Sequence, residues 1–132
     1  MKTINDIKDE KGKKVDQLIK DCKVFFAFSN EQFAEGKCEL AEGDKYAAIG
    51  CGGYMPASLV PVFKKGMADL DLWFKNEVKA NKARKAHIIY ELYNHEAFYT
   101  GSVDDTLDAL GHGYTRAEVV AAYRSEYKKA TA

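Results

Sequence analysis

His87, Glu91 and His95 are spaced at i, i+4 and i+8 in a stretch that reads as helix. Imidazoles and carboxylates are ligands for zinc and for non-haem iron, and a metal held here would imply a hydrolase. Each helical residue turns by about 100°, so the three form a stripe that drifts by about 40° per step. One straight helix rarely presents all three to one ion, and His112 or Asp104 would have to complete the set. The same spacing also describes a solvent face of His–Glu pairs. The second description is preferred. No metal or other cofactor is expected, and these three residues are the candidates for one.

The possible nucleophiles are Cys22, Cys38 and Cys51. An odd count without CxxC spacing argues against a disulfide framework or a zinc ribbon, and for reduced thiols in a cytoplasm. Cys51 lies in Gly50-Cys51-Gly52-Gly53-Tyr54-Met55-Pro56-Ala57-Ser58, between a predicted strand and a predicted long helix. A helix N-terminus would lower its pKa, but nothing local pairs it with His95 or His112. Small core residues are the commoner role for such thiols, and no catalytic residue is assigned.

The same glycine segment has a second reading. Gly50, Gly52, Gly53 and Ser58 could hold a nucleotide phosphate or another anion, with Ser58 capping the helix. The segment lacks the Gly-Lys-Ser/Thr end of a P-loop and the last glycine of a dinucleotide fingerprint. Its plain alternative is a tight strand-to-helix connection with Tyr54 and Met55 turned inward.

Charge narrows the partners. The chain has 20 basic and 20 acidic residues. Within it, residues 61–90 carry seven basic and three acidic groups (+4), and residues 91–118 carry one and six (−5). Lys75, Lys79, Lys82, Arg84 and Lys85, with Trp73 and Tyr90, could form a stacking track for nucleic acid. The neutral total argues for solvated lysines instead. Six of the eight tyrosines fall in the last 43 residues. Tyr99 and Tyr114 adjoin glycines at helix ends, where exposure is expected, whereas Tyr93, Tyr123 and Tyr127 have core spacing. Tyr99, Asp104, Asp105, Asp108 and Tyr114 therefore make a candidate interface for a protein partner with a basic surface.

The elements that must position these groups follow from patterning. A chain of 132 residues, 46% hydrophobic and 30% charged, suits one soluble domain. There is no signal-peptide core and no span of about 20 apolar residues for a membrane. Residues 1–12 form a short helix or a loose arm. Val15, Leu18, Ile19 and Cys22 mark one face of a helix. Lys23–Ser29 and Lys45–Gly50 read as strands, the first covered on both faces. Ser29 or Asn30 caps a short helix ending near Gly36. A long helix starts at Ser58, another covers Ala83–Phe98 and ends at Gly101, and a short one covers Val103–Leu110. Thr115 and Glu118 form a capping box for the last helix.

The expected fold is a single α+β domain. A small antiparallel sheet, completed by a further segment or a second subunit in a homo-oligomer, is covered by the long helix and the C-terminal helices. Its expected core is Val24, Phe26, Phe28, Ile49, Phe63, Met67, Leu70, Phe74, Ile89, Leu92 and Val120.

Asn94-His95-Glu96-Ala97-Phe98-Tyr99-Thr100-Gly101, followed by Asp105-Thr106-Leu107 and Gly113-Tyr114-Thr115, resembles a small uncharacterised family from bacteriophages and mobile elements of gut-type bacteria. Phe28-Ser29-Asn30-Glu31-Gln32-Phe33 and Gly52-Gly53-Tyr54-Met55-Pro56 are similar too, so the likeness runs from about Val24 onwards. It carries no assigned activity and no functional residues. It implies a mobile-element product in a bacterial cytoplasm, where small proteins often occupy a host enzyme, block a defence nuclease or sequester a nucleotide. The function expected is therefore a non-enzymatic protein-binding regulator acting on a host protein. The alternatives are a nucleotide or anion binder at Gly50–Ser58 and, last, a metal hydrolase.

Overall fold

The computed structural model describes all 132 residues. The fold is α+β, with seven α-helices and a three-stranded antiparallel sheet. In chain order the elements are α1 (Ile4–Asp21), β1 (Phe25–Phe26), α2 (Asn30–Gly36), β2 (Tyr46–Gly50) and β3 (Gly53–Pro56). A 3₁₀ turn (Ala57–Leu59) leads to α3 (Val60–Ala80), α4 (Arg84–Asn94), α5 (Ala97–Thr100), α6 (Asp104–Leu110) and α7 (Arg116–Thr131). No helix is long and apolar enough to cross a membrane. The sequence reads as one domain; backbone contacts divide it into two compact units, residues 8–75, and residues 1–7 with 76–132.

In the unit of residues 8–75 the strand order is β1-β3-β2. The third strand, β3, comes from the glycine segment itself. Phe25 pairs with Tyr54, and Ala48 pairs with Tyr54 from the other side. On this face Phe33 of α2 meets Phe25, Tyr46 and Tyr54 edge-on, with ring centroids 5.4, 5.2 and 5.1 Å apart. The Ser29 side chain caps α2 by accepting the Gln32 N–H.

The opposite face corrects the expected core. Met55 is buried there, but Phe26 and Phe28 are 54% and 77% exposed, and Ile49 lies at the surface. The predicted strand is cut to two residues because Lys23 is left-handed (φ 57°) and pairing stops at Ala27, whose N–H reaches the Gly52 carbonyl. In the same unit Leu18 of α1 lies against Gly66 of α3, where a Cβ would come within 2.7 Å of it. Glycine leaves room for this approach, at a cost to the helix of roughly 1 kcal/mol relative to alanine.

The other unit has its core in α4–α7. Ile88, Leu92, Ala97, Val103, Leu110, Val119 and Ala122 pack together. The expected Ile89 and Val120 are only half-buried, because the helices face inward one residue earlier. Residues 1–12 are not a loose arm. Helix α1 starts at Ile4, Ile4 and Ile7 are buried, and Thr3 and Asp6 cap its start reciprocally. Those bonds from Thr3 hold the Asp6 carboxyl below its usual range. The predicted helix Ala83–Phe98 is broken by Glu96, which is left-handed at φ 53°. Gly101 (φ 76°) ends α5, and the Thr115–Glu118 capping box opens α7 as expected.

Candidate functional site

Helix α4 and the residue that follows it bring His87, Glu91 and His95 together, with both imidazoles beside the Glu91 carboxylate. Glu91 is buried, with Oε2 3.2 Å from His95 Nε2 and Oε1 4.0 Å from His87 Nε2. Asn94 Nδ2 also reaches Oε2, at 3.4 Å. The Thr106 hydroxyl donates to the Glu91 carbonyl at 3.3 Å, tying α6 to α4. The second nitrogen of His87 is engaged by the Tyr114 hydroxyl at 2.8 Å. No group of three or more His, Cys, Asp and Glu side chains has the arrangement of a metal site.

Tyr114 is therefore not the exposed interface residue that its place beside glycine suggests. It is half-buried, its hydroxyl is bonded to His87, and the Arg84 guanidinium lies 4.1 Å above its ring. Burial raises its pKa, against the opposing pull of Arg84. Arg84 also binds Glu118 through both carboxylate oxygens and donates to the Gly113 carbonyl. This bond holds the Glu118 carboxyl below its ordinary range. Arg84 is thus engaged internally, and in the other unit Trp73 lies under Lys14 at 5.0 Å.

The glycine segment is a hairpin, not a strand-to-helix connection. Gly50 pairs with Gly53, and Cys51 and Gly52 between them have φ of 51° and 79°. Two positive φ values in a two-residue loop are those of a type I′ turn, whose twist matches the strands. Ser58 does not cap a helix; it lies within the 3₁₀ turn and donates its hydroxyl to Asp44 at 2.6 Å, and its N–H goes to the same carboxylate. The Ser58 hydroxyl is the first cause of the lowered Asp44 pKa, followed by the Lys45 N–H. Of the four residues foreseen for an anion, Ser58 is engaged by a carboxylate of the chain, and Gly50, Gly52 and Gly53 lie at the hairpin tip. Cys51 is exposed at the hairpin tip, Cys38 is half-buried, and burial pushes the Cys22 thiol up.

The unit of residues 1–7 and 76–132 carries an aromatic groove of about 480 Å³ lined by Tyr93, Glu96, Phe98, Tyr99, Ala130 and Thr131. Behind it the rings form a row: Tyr93 to Phe98 at 4.9 Å, Phe98 stacked on Tyr123 at 5.1 Å, and Tyr123 to Tyr127 at 5.8 Å. Tyr93 and Tyr127, expected in the core, are nearly half exposed. Tyr99 is 90% exposed on the single turn of α5. That turn is held at both ends by left-handed residues, Glu96 and Gly101, so the ring is projected by a defined backbone. Asp104, Asp105 and Asp108 of α6 are exposed as expected; Asp104 is paired with Arg116 at 2.8 Å, while Asp105 and Asp108 have no ion pair.

A model of one protein family matches residues 7–132, nearly the whole chain. The chain belongs to this family of unknown function, DUF7659. Membership of an uncharacterised family agrees with the resemblance in the sequence. No curated protein and no solved structure matches the chain.

Glu96 and Phe98 were not singled out by sequence reasoning. The signal for Phe98 was present, since it stands beside Tyr99 and five residues after Tyr93. The signal for Glu96 was not, because glutamate is a good helix former and nothing in its type announces a left-handed residue.

Proposed function

We propose that this protein is a non-enzymatic protein-binding regulator. The observation that carries this reading is Tyr99, an almost fully exposed ring on a fixed one-turn helix beside a groove walled by Tyr93 and Phe98. Tyrosine offers large contact area with little rotamer entropy to lose, which suits it to anchor an interface. The acidic edge of Asp104, Asp105 and Asp108 follows directly in α6, and Asp105 and Asp108, which have no ion pair, favour encounter with a basic partner. The partner is a host protein, and the setting is a phage or mobile-element product in a bacterial cytoplasm, acting as an inhibitor of a host system. The resemblance of Asn94–Gly101 and its neighbours supports that setting, and phage or transposon genes beside this one would test it.

Affinity capture from the native host, with mass spectrometry of what is retained, tests the function. Tyr99→Ala combined with Asp105→Asn and Asp108→Lys should lose the retained protein while the melting temperature falls by no more than a few degrees, because all three side chains are exposed and only Asp105 stands in the first turn of α6, where its charge favours the helix. Equal capture by wild type and triple variant would count against the reading.

A further inference from the structure

Resting on that reading, we infer that the groove beside Tyr99 takes the cationic side chain of a basic segment of the partner, with arginine the best fit. Three of its six lining residues are aromatic, and none is basic. The only charged lining residue is Glu96, which is exposed and makes no ion pair. A second carboxylate, Glu126, accepts the Tyr93 hydroxyl at 3.1 Å, which places negative charge at the wall of the groove. Aromatic faces attract a cation through the ring quadrupole, and a guanidinium can stack flat on a ring while its N–H groups reach a carboxylate.

The left-handed Glu96 is central to this arrangement. Helix α4 ends at Asn94 and α5 begins at Ala97, so the chain turns between Tyr93 and Phe98. A continuous helix would set Tyr93 and Phe98, five residues apart, on different faces. The break brings their rings to 4.9 Å and leaves the Glu96 carboxylate among them. An apolar occupant would have no use for that carboxylate and would have to strip water from it. An acidic occupant would be repelled by it. A cation satisfies both the rings and the charge.

The test uses the full chain and three synthetic hexapeptides that differ at one central residue, arginine, citrulline or norleucine, titrated by calorimetry and by NMR. Citrulline keeps the planar shape of arginine but removes the charge and replaces one terminal N–H donor group by a carbonyl acceptor. The arginine peptide should bind, with shifts confined to Tyr93, Glu96, Phe98 and Tyr99, and the citrulline and norleucine peptides should bind at least about tenfold more weakly. Tyr99→Ala and Glu96→Gln should each weaken the arginine peptide to a similar extent. Equal binding of arginine and citrulline peptides, tighter binding of the norleucine peptide, or no binding of the arginine peptide would each overturn the inference. The two levels fail separately. Host-protein capture that is lost in Tyr99→Ala but kept in Glu96→Gln removes the cation and leaves the binding function standing. Capture indifferent to Tyr99 removes the function itself.

Discussion

The Tyr114 hydroxyl lies 2.8 Å from Nδ1 of His87, and the two rings meet edge to face at 5.5 Å. This contact joins the loop between α6 and α7 to the buried side of α4. It converts a tyrosine that the sequence offers as surface into a structural pin. Tyr114→Phe should keep the ring contact and the Arg84 stacking but lose the hydrogen bond. The expected cost is about 1 kcal/mol in urea unfolding. Partner capture by this variant should match wild type, since Tyr114 is turned inward.

The hairpin tip predicts two substitutions of opposite sign. Cys51 is held at φ 51°, a conformation that costs most residues about 1–2 kcal/mol but that asparagine adopts more readily. Cys51→Asn should therefore raise the melting temperature, by up to about 4 °C. Gly52→Ala should lower it. At φ 79° the added Cβ is strained, and it would come within 2.4 Å of the Phe28 ring. A drop caused by Cys51→Asn would show that the thiol, and not the turn, matters at this position.

Acid and alkali should act on the unit of residues 1–7 and 76–132 through different groups. Glu118 has its pKa lowered by the Arg84 hydrogen bond, so the folded state binds this proton less readily than the unfolded state. Its contribution is complete above the ordinary value of 4.5 and is lost as pH falls through the lower folded value. The pair is partly exposed, which limits its worth to about 1 kcal/mol or less. Tyr114 is the reverse case. Burial raises its pKa, so its contribution is complete below the ordinary value of 10.0 and is lost as pH rises through the folded value. Stability measured against pH should show both slopes. Glu118→Gln should flatten the acid one, and Tyr114→Phe the alkaline one.

What was legible in the sequence was what neighbouring residues decide. The caps at Ser29, the first of the two residues expected there, and at Thr115 with Glu118 announce helix starts by local hydrogen-bonding chemistry, and Gly101 ends a helix as expected, although that helix is the single turn of α5 and not the long one. What was hidden depends on distant pairing. The run Gly50-Cys51-Gly52-Gly53 looks like a loop before a helix until Phe25 and Ala48 are both placed against Tyr54. Nothing local assigns Met55 to a buried strand while leaving Phe28 outside. The groove was hidden for a related reason. Its rings were counted one by one at helical spacing, and that spacing fails at Glu96, where the chain leaves the helix.

The inward face of α4 and α7 gives the sharpest comparison of sequence with structure. Helical spacing allows either member of Ile88–Ile89 and of Val119–Val120 to face inward, and the expected core takes Ile89 and Val120, whereas the chain buries Ile88 and Val119 and leaves their neighbours half-covered. The shift follows from the partners. Ile88 and Leu92, four residues apart, pack with Val119 and Ala122, three residues apart, and these are the spacings that share one helix face. Truncating a buried aliphatic side chain loses its transfer energy and leaves a cavity. Ile88→Ala should cost about 2–5 kcal/mol, and Ile89→Ala about half as much or less. Val119→Ala should likewise exceed Val120→Ala. Denaturant melts of the four single variants would check the order. If Ile89→Ala or Val120→Ala proved the more damaging of its pair, the helices would have to turn by about 100° from the arrangement described.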